Sequence, residues 1–282
     1  MKEENQQNNE NEEINKINIK ERESIEIELI YINFEEGRLK MFDEEFLRRV
    51  QKEKVNEKDL FYTIEKEKDS LSSEKPLEAA YIREKDTIEY WREEDKVKII
   101  LNDDGKKNKN DGYQTLKIIL KIYITEKNEK IFRNLSYMFY GCKALYSVKG
   151  LSKLNSFKIN NMSSMFYGCY HLEKVEDIEK LDVSNVTNMC CLFYECKSLQ
   201  TLDLSKWVVS KVQYMNYLFC QCICLEFIIG INKWDIAQVI NADNMFNGCG
   251  KLKNLNEIKK MDFSKVIYKT DIFDYINENS KS

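Results

Sequence analysis

The sequence predicts an α/β repeat solenoid preceded by a small α+β unit and a disordered N-terminal tail. Three observations carry that prediction. A Phe-x-x-Cys pair recurs at a near-constant interval through the second half of the chain. Charge is divided unevenly, with 33 of the 48 acidic and 26 of the 44 basic residues lying before position 131. All nine cysteines fall between Cys142 and Cys249.

The elements follow in chain order. Residues 1–24 are Glu, Asn, Gln and Lys with isolated isoleucines. So little apolar surface cannot offset the entropy of ordering the segment, so the tail is expected to be disordered. Residues 25–125 are expected to form the small α+β unit. Ile25 to Phe34 gathers β-branched and aromatic residues in partial alternation, the mark of a strand. Glu36-Gly37 suits a turn. Phe42, Phe46, Leu47 and Val50 have helical spacing, which predicts a short amphipathic helix over 42–54. Residues 65–75 form a charged loop ending at Pro76. Further strands are expected at 97–101 and 116–124, on either side of a polar loop at 102–113. That loop has the composition of a calcium site but not its register. With Gly112 at the sixth position, Lys107 and Lys109 would fall where oxygen ligands are required.

Residues 131–276 hold the repeat, expected as five clear coils and a degraded C-terminal one. The pairs are Phe139/Cys142, Phe166/Cys169, Phe193/Cys196, Phe219/Cys222 and Phe246/Cys249, with a sixth copy ending at Phe273/Ile276. Three residues past each cysteine stand Leu145, Leu172, Leu199, Leu225 and Leu252, and three further on Val148, Val175, Leu202, Ile228 and Leu255. Large apolar residues follow at Leu154, Leu181, Trp207, Trp234 and Met261, then Ile159, Val186, Val212, Val239 and Val266. Met162, Met189 and Met215 form a column that departs at Ala242 and Lys269, and Met165, Leu192, Leu218, Met245 and Ile272 form another. No such unit can bury its apolar residues alone, whereas stacked units turn each column into a continuous ladder. The Leu-x-x-Leu stretch is expected to supply a strand. The stretch through Met-x-x-Met/Leu-Phe, with apolar positions three and four apart, suits a short helical turn on the opposite wall.

At these residues the chain resembles a known family. The unit Leu199 to Cys222, LQTLDLSKWVVSKVQYMNYLFCQC, is similar to the BspA-type leucine-rich repeat, whose pattern runs L-x-x-L-D-L-S-x-W-D-x-S-x-V-x-x-M-x-x-M-F-x-x-C. Lys233 to Val239 and Leu181 to Val186 match its central segment. Residues 38–47, RLKMFDEEFL, are similar to the segment before the repeats in some eukaryotic members. The resemblance implies a protein-binding or adhesion scaffold with no catalytic residues to transfer, and the family's best-known members are exported surface proteins.

Composition narrows the function classes. No apolar run approaches the roughly 18 residues of a membrane span, and the first 20 residues have no apolar segment like that of a signal peptide. The expected location is therefore cytoplasmic, with unconventional export to the cell surface as the alternative. With a sequence pI near 5.5 and no dominant basic block, nucleic acid is not an expected partner. Nine cysteines without a signal peptide are expected as reduced thiols. A single histidine, His171, leaves little material for acid–base or metal chemistry. Neither catalytic residue, cofactor nor metal is expected, and the chain is not expected to be an enzyme.

Candidate sites follow from the repeat register. The cysteine column at 142, 169, 196, 222 and 249 is expected to be structural, as small buried residues with weakly hydrogen-bonding thiols. Cys190, Cys191, Cys220 and Cys224 lie off that column, and a thiol- or metal-binding role for them is the alternative of a different class. His171 and Cys224 share a column but stand two repeats apart, about 10 Å by strand spacing, too far for a nucleophile and its base. The outward strand positions form two rows, Ser147, Lys174, Thr201, Phe227, Asn254 and Lys149, Glu176, Asp203, Ile229, Asn256. Phe227 and Ile229 are apolar where the other repeats are polar. Rimmed by Thr201, Asp203, Lys174 and Glu176, they form the candidate surface for an unidentified protein partner. The competing expectation is that both pack beneath the N-terminal unit or a neighbouring loop. Tyr140, Tyr167 and Tyr194 mark a possible aromatic stripe elsewhere.

Overall fold

The computed structural model describes residues 24–32, 38–40, 43, 45–46, 48–49, 60–65, 75–76, 81–83, 88–89, 98–99, 115–123 and 126–274. The expected tail up to residue 23, the turn at Glu36-Gly37, the loop at 102–113 and most of the helix at 42–54 lie outside these residues, although 45–46 and 48–49 are helical.

From residue 131 onward the backbone recurs with the period of the sequence. A parallel ladder of single bridges joins Asn134, Asn161, Asn188, Tyr214, Asn241 and Tyr268 in succession. Each asparagine in this row accepts, through Oδ1, the amide two residues ahead, at Ser136, Ser163, Cys190 and Asp243, 2.9–3.0 Å away. Such turns are what short amide side chains favour. Asp182, Asp203, Asp235 and Asp262 form the same turn elsewhere in the unit, onto the amides of Ser184, Ser205, Ala237 and Ser264.

The wall beyond each bridge is built from two interleaved sets of hydrogen bonds. In the second repeat the amides of Met162, Ser164, Phe166 and Gly168 donate to the carbonyls of Asn188, Cys190, Leu192 and Tyr194 in the next repeat, at 2.7–2.9 Å. The amides between them close tight turns, from Met165 to Met162, Tyr167 to Ser164 and Cys169 to Phe166. Ser164 has a φ of 55°, and Tyr137, Cys191, Tyr217 and Asn244 repeat that left-handed conformation. A left-handed residue stops helical propagation after one turn. The wall is thus a run of consecutive turns where the spacing predicts a short helical turn, and the alternate amides are released to the neighbouring repeat.

On the opposite wall are short strands. β9 (Leu145–Lys149) and β10 (Lys174–Glu176) pair in parallel, as do β11 (Thr201–Asp203) and β12 (Phe227–Ile229). Strand alternation turns Val148, Val175, Leu202 and Ile228 into the core and their neighbours outward. Between the walls, Phe139, Phe166, Phe193, Phe219, Phe246 and Phe273 stack as one column, with ring centroids 5.5–5.9 Å apart. The thiols of Cys169, Cys196, Cys222 and Cys249 donate to the carbonyls of Phe139, Phe166, Phe193 and Phe219, at 2.9–3.2 Å. A small side chain with a weak donor fits there, because each of these carbonyls is buried between two repeats.

The N-terminal segment completes one end. β1 (Ser24–Ile32) lies antiparallel to β9, and on its other side antiparallel to β8 (Thr115–Tyr123). β3 (Leu60–Glu65) and β4 (Lys75–Pro76) extend the sheet, whose order is β10-β9-β1-β8-β3-β4. Two further short pairs join β2 (Arg38–Lys40) to β5 (Tyr81–Arg83) and β6 (Ile88–Glu89) to β7 (Lys98–Ile99). Ile25, Ile27, Leu29 and Tyr31 alternate into the core that the repeats fill. One sheet therefore runs from the N-terminal segment into the first two repeats. α1 (Glu126–Phe132) links β8 to the repeats, and Phe132 stacks between Phe46 and Phe157 at 6.0 and 5.6 Å.

The other end departs from the pattern. In the fifth repeat α2 (Leu255–Ile258) stands where a strand would follow β12. Ile258 is fully buried in place of Leu255, which is half-buried. The Leu255 core position and the outward Asn254 and Asn256 positions read from the repeat therefore do not extend the strand row. Asn254 instead donates from its side-chain amide to the Ile228 carbonyl at 2.9 Å, occupying the free side of β12.

Candidate functional site

The candidate surface is the outer face of β10, β11 and β12. The parallel register sets Thr201 beside Phe227 and Asp203 beside Ile229, while Lys174 and Glu176 pair with Ser147 and Lys149. The side chains of Phe227 and Ile229 point to solvent at 39% and 46% exposure, so neither is packed beneath the described part of the N-terminal unit or a described loop. Lys174, Glu176 and Thr201 are exposed and Asp203 is half-buried. Lys174 and Glu176 lie on β10, in a different sheet from β11 and β12. The first row begins differently, because Ser147 is buried, with Ile30 of β1 as its antiparallel partner.

Charge surrounds the apolar pair. Lys149 Nζ lies 3.3 Å from Glu176 Oε2. Both side chains are exposed, so the pair adds little to stability. Asp203 Oδ1 accepts the Ser205 amide, and hydrogen bonds from Ser205 hold the Asp203 carboxyl below its usual range. Lys253 sits over the Phe227 ring, 5.4 Å from its centroid, and donates to Glu226 Oε2 at 2.6 Å. Lys253 and Glu226 are thus part of this surface although the outward rows omit them. Lys253 stands one repeat on from Glu226, whereas the position one repeat on from Phe227 is Asn254, so the register pairs Lys253 with Glu226 but does not place it over the ring.

The remaining sequence candidates are dispersed. His171 is exposed and its amide donates to Lys143. The Cys224 thiol is half-buried, 3.7 Å from Lys251 Nζ. Cys220 is buried, and burial pushes its thiol up to about 11. Among the described residues no three His, Cys, Asp or Glu side chains are placed to hold a metal ion. Tyr140, Tyr167 and Tyr194 stack face to face at 4.5 Å, half-buried. Their ring faces are spent on one another, and desolvation with the neighbouring tyrosines pushes Tyr167 up to about 12.

Comparison with known proteins adds one match. The family described as "Mycoplasma protein of unknown function, DUF285" matches residues 133–261 and 223–281, which together span more than half of the chain and all of its stacked part. No curated protein and no solved structure matches the chain. Among the described residues no helix is long and apolar enough to cross a membrane.

Proposed function

Starting from the chain's membership of the DUF285 family, we propose that it is a non-enzymatic protein-interaction scaffold, a BspA-type α/β solenoid that engages a protein partner through the face of β10–β12. The observation that carries this reading is the exposure of Phe227 and Ile229 side by side with Thr201 and Asp203, on strands whose core positions are fully used. An apolar pair at the centre of a charged rim is the arrangement in which a few side chains dominate binding. Support for the solenoid comes from the parallel bridges and the continuous phenylalanine column. The proposed partner presents an apolar side chain flanked by groups that complement Lys174, Lys253, Glu176 and Asp203. A cytoplasmic location is part of the same proposal.

The test is affinity capture from native cells with the whole chain, comparing the wild type with Phe227→Asp/Ile229→Asp and with Val208→Asp, a control at another exposed apolar position. The face variant should lose its partner, with affinity falling roughly tenfold or more, while the control retains it. Equal capture by a folded face variant would overturn the assignment.

A further inference from the structure

Cys190 and Cys191 lie in the wall of consecutive turns, not in the cysteine column. The positions one repeat before Cys190 and one after are Ser163 and Asn216, and those flanking Cys191 are Ser164 and Tyr217. The other repeats therefore place polar or aromatic groups there, and core packing does not account for two thiols. The two sulfurs are 3.3 Å apart and partly exposed. Asn216 Nδ2 donates to Cys190 Sγ at 3.0 Å, so the amide and the neighbouring thiol converge on one sulfur.

The backbone of the pair is clamped from both sides. The Cys190 amide donates to Asn188 Oδ1, the Cys190 carbonyl accepts Ser164 N, and the Cys191 amide donates to the Asn216 carbonyl, at 2.8–2.9 Å. Cys191 is held left-handed at a φ of 56°. The close approach of the sulfurs is thus imposed by the repeats before and after, not by a free loop.

We propose that Cys190 and Cys191 form an oxidisable dithiol, in which Cys190 reacts with a hydroperoxide and Cys191 resolves the product to a vicinal disulfide. The Cys190 thiolate attacks one peroxide oxygen and the O–O bond breaks. The leaving oxygen departs as an alcohol, or as water from hydrogen peroxide, once it takes the proton that Cys190 gave up. Cys190 becomes a sulfenic acid. The Cys191 sulfur then attacks the Cys190 sulfur, the S–O bond breaks, and the hydroxide leaves as water with the Cys191 proton. Two thiols lose two electrons and one peroxide gains them. A reactive thiol beside a resolving one is the usual composition of such a pair.

The electrostatics agree with these roles. The hydrogen bond from Cys191, and after it that from Asn216, outweigh burial and bring Cys190 down to about 7. Cys191 is pushed up, because its proton is held against Cys190 and because it is buried. The lowered pKa raises the thiolate share of Cys190 near neutrality above that of an ordinary cysteine, and the lower nucleophilicity of a more acidic thiol offsets only part of that gain.

The experiment treats the reduced whole chain with hydrogen peroxide, alkylates it with iodoacetamide and maps the peptides by mass spectrometry. The peptide with Cys190 and Cys191 should lose two hydrogens, escape alkylation and regain both thiols with dithiothreitol. It should do so faster than an unperturbed cysteine peptide. In Cys191→Ser the reaction should stop at a sulfenic acid on Cys190 that dimedone captures. Serine already stands at 163 and 164, one repeat earlier, so the variant keeps a residue this wall accommodates. Two alkylatable thiols persisting after the peroxide is consumed, a disulfide to Cys220 instead, or no dimedone adduct in the variant would each overturn the proposal.

Discussion

Trp207 and Trp234 occupy the same column and differ by one hydrogen bond, which makes them a matched pair. Their rings are parallel with centroids 6.2 Å apart, and they are 5% and 7% exposed. Trp207 Nε1 donates to the Ile178 carbonyl at 2.8 Å, whereas Trp234 Nε1 is buried with no partner among the described residues. Replacing either by phenylalanine removes a similar area of ring, so that part of the cost cancels in the comparison. At 207 the change also loses a hydrogen bond, a net cost of about 1 kcal/mol. The Ile178 carbonyl keeps the Leu181 amide, so it is not stranded. At 234 the change removes an unpaired buried donor and relieves about 1 kcal/mol or more. Trp207→Phe is therefore expected to be less stable than Trp234→Phe by about 2 kcal/mol, the two terms acting in opposite directions. Urea unfolding measures this as a lower midpoint for Trp207→Phe with an unchanged slope. Equal midpoints would refute the reasoning, because they would mean that Trp234 is hydrogen-bonded or that the Trp207 bond contributes nothing.

Two further outcomes are expected. A Cβ at Gly230, where φ is +83°, would meet Ser205 Cα at 2.2 Å and Ser205 N at 2.8 Å, whereas one at Gly168 meets nothing closer than 3.7 Å. Gly168→Ala should cost about 1 kcal/mol, the left-handed penalty alone, and Gly230→Ala should lower the melting temperature far more; equal shifts would refute the clash. The second outcome concerns alkaline pH. Burial pushes the thiols of Cys196, Cys222 and Cys249 above their ordinary value of 9.0, so their stabilisation is complete below that value and is lost as pH rises above it toward the folded values. Stability in reducing buffer should fall from about pH 9 upward, by about 1.4 kcal/mol per pH unit for each such thiol once it is ionised in the unfolded chain. Cys222→Ala should flatten that fall by one thiol's share, and an unchanged slope would count against burial as the cause.

The columns were legible because a period of 26–27 puts the same kind of side chain at the same depth in every repeat. Phe166, Cys196 and Val212 are buried for a reason visible in any one unit once the others are aligned to it. The turn wall was less legible. Apolar residues three and four apart describe a helix, but two consecutive tight turns bury the same positions. The left-handed residues of the first turn, Ser164, Cys191, Tyr217 and Asn244, are not glycines, and glycine marks only the second turn, at Gly141, Gly168 and Gly248. The pairing of β1 with β9 had no local signal either. Alternation at Ile25–Tyr31 shows that one face is buried, but not that its partner lies more than a hundred residues on. For the surface, alternation about Leu202 and Ile228 was enough to turn Phe227 and Ile229 outward. It could not supply Lys253, which reaches back over Phe227 from the following repeat.

The two departures from the repeat bear on how a partner could bind. Unpaired strand edges recruit other strands unless they are covered. Here the strands form two parallel pairs in separate sheets, β9 with β10 and β11 with β12; the outer side of β9 is taken by β1, and the Ile228 carbonyl on the outer side of β12 is taken by the Asn254 amide. Neither of these two outer sides therefore invites an extended peptide to join as a further strand, the mode in which backbone hydrogen bonds carry the affinity. Ser147 is buried and so absent from the face, and α2 removes the row beyond β12, so the outward positions reduce to those of three strands. Recognition by the proposed scaffold then depends on side chains, with Phe227 and Ile229 the apolar centre and Lys174, Glu176, Asp203 and Lys253 the charged rim. A partner selected this way would be sensitive to single changes at Phe227 or Ile229 and indifferent to changes at the strand edges.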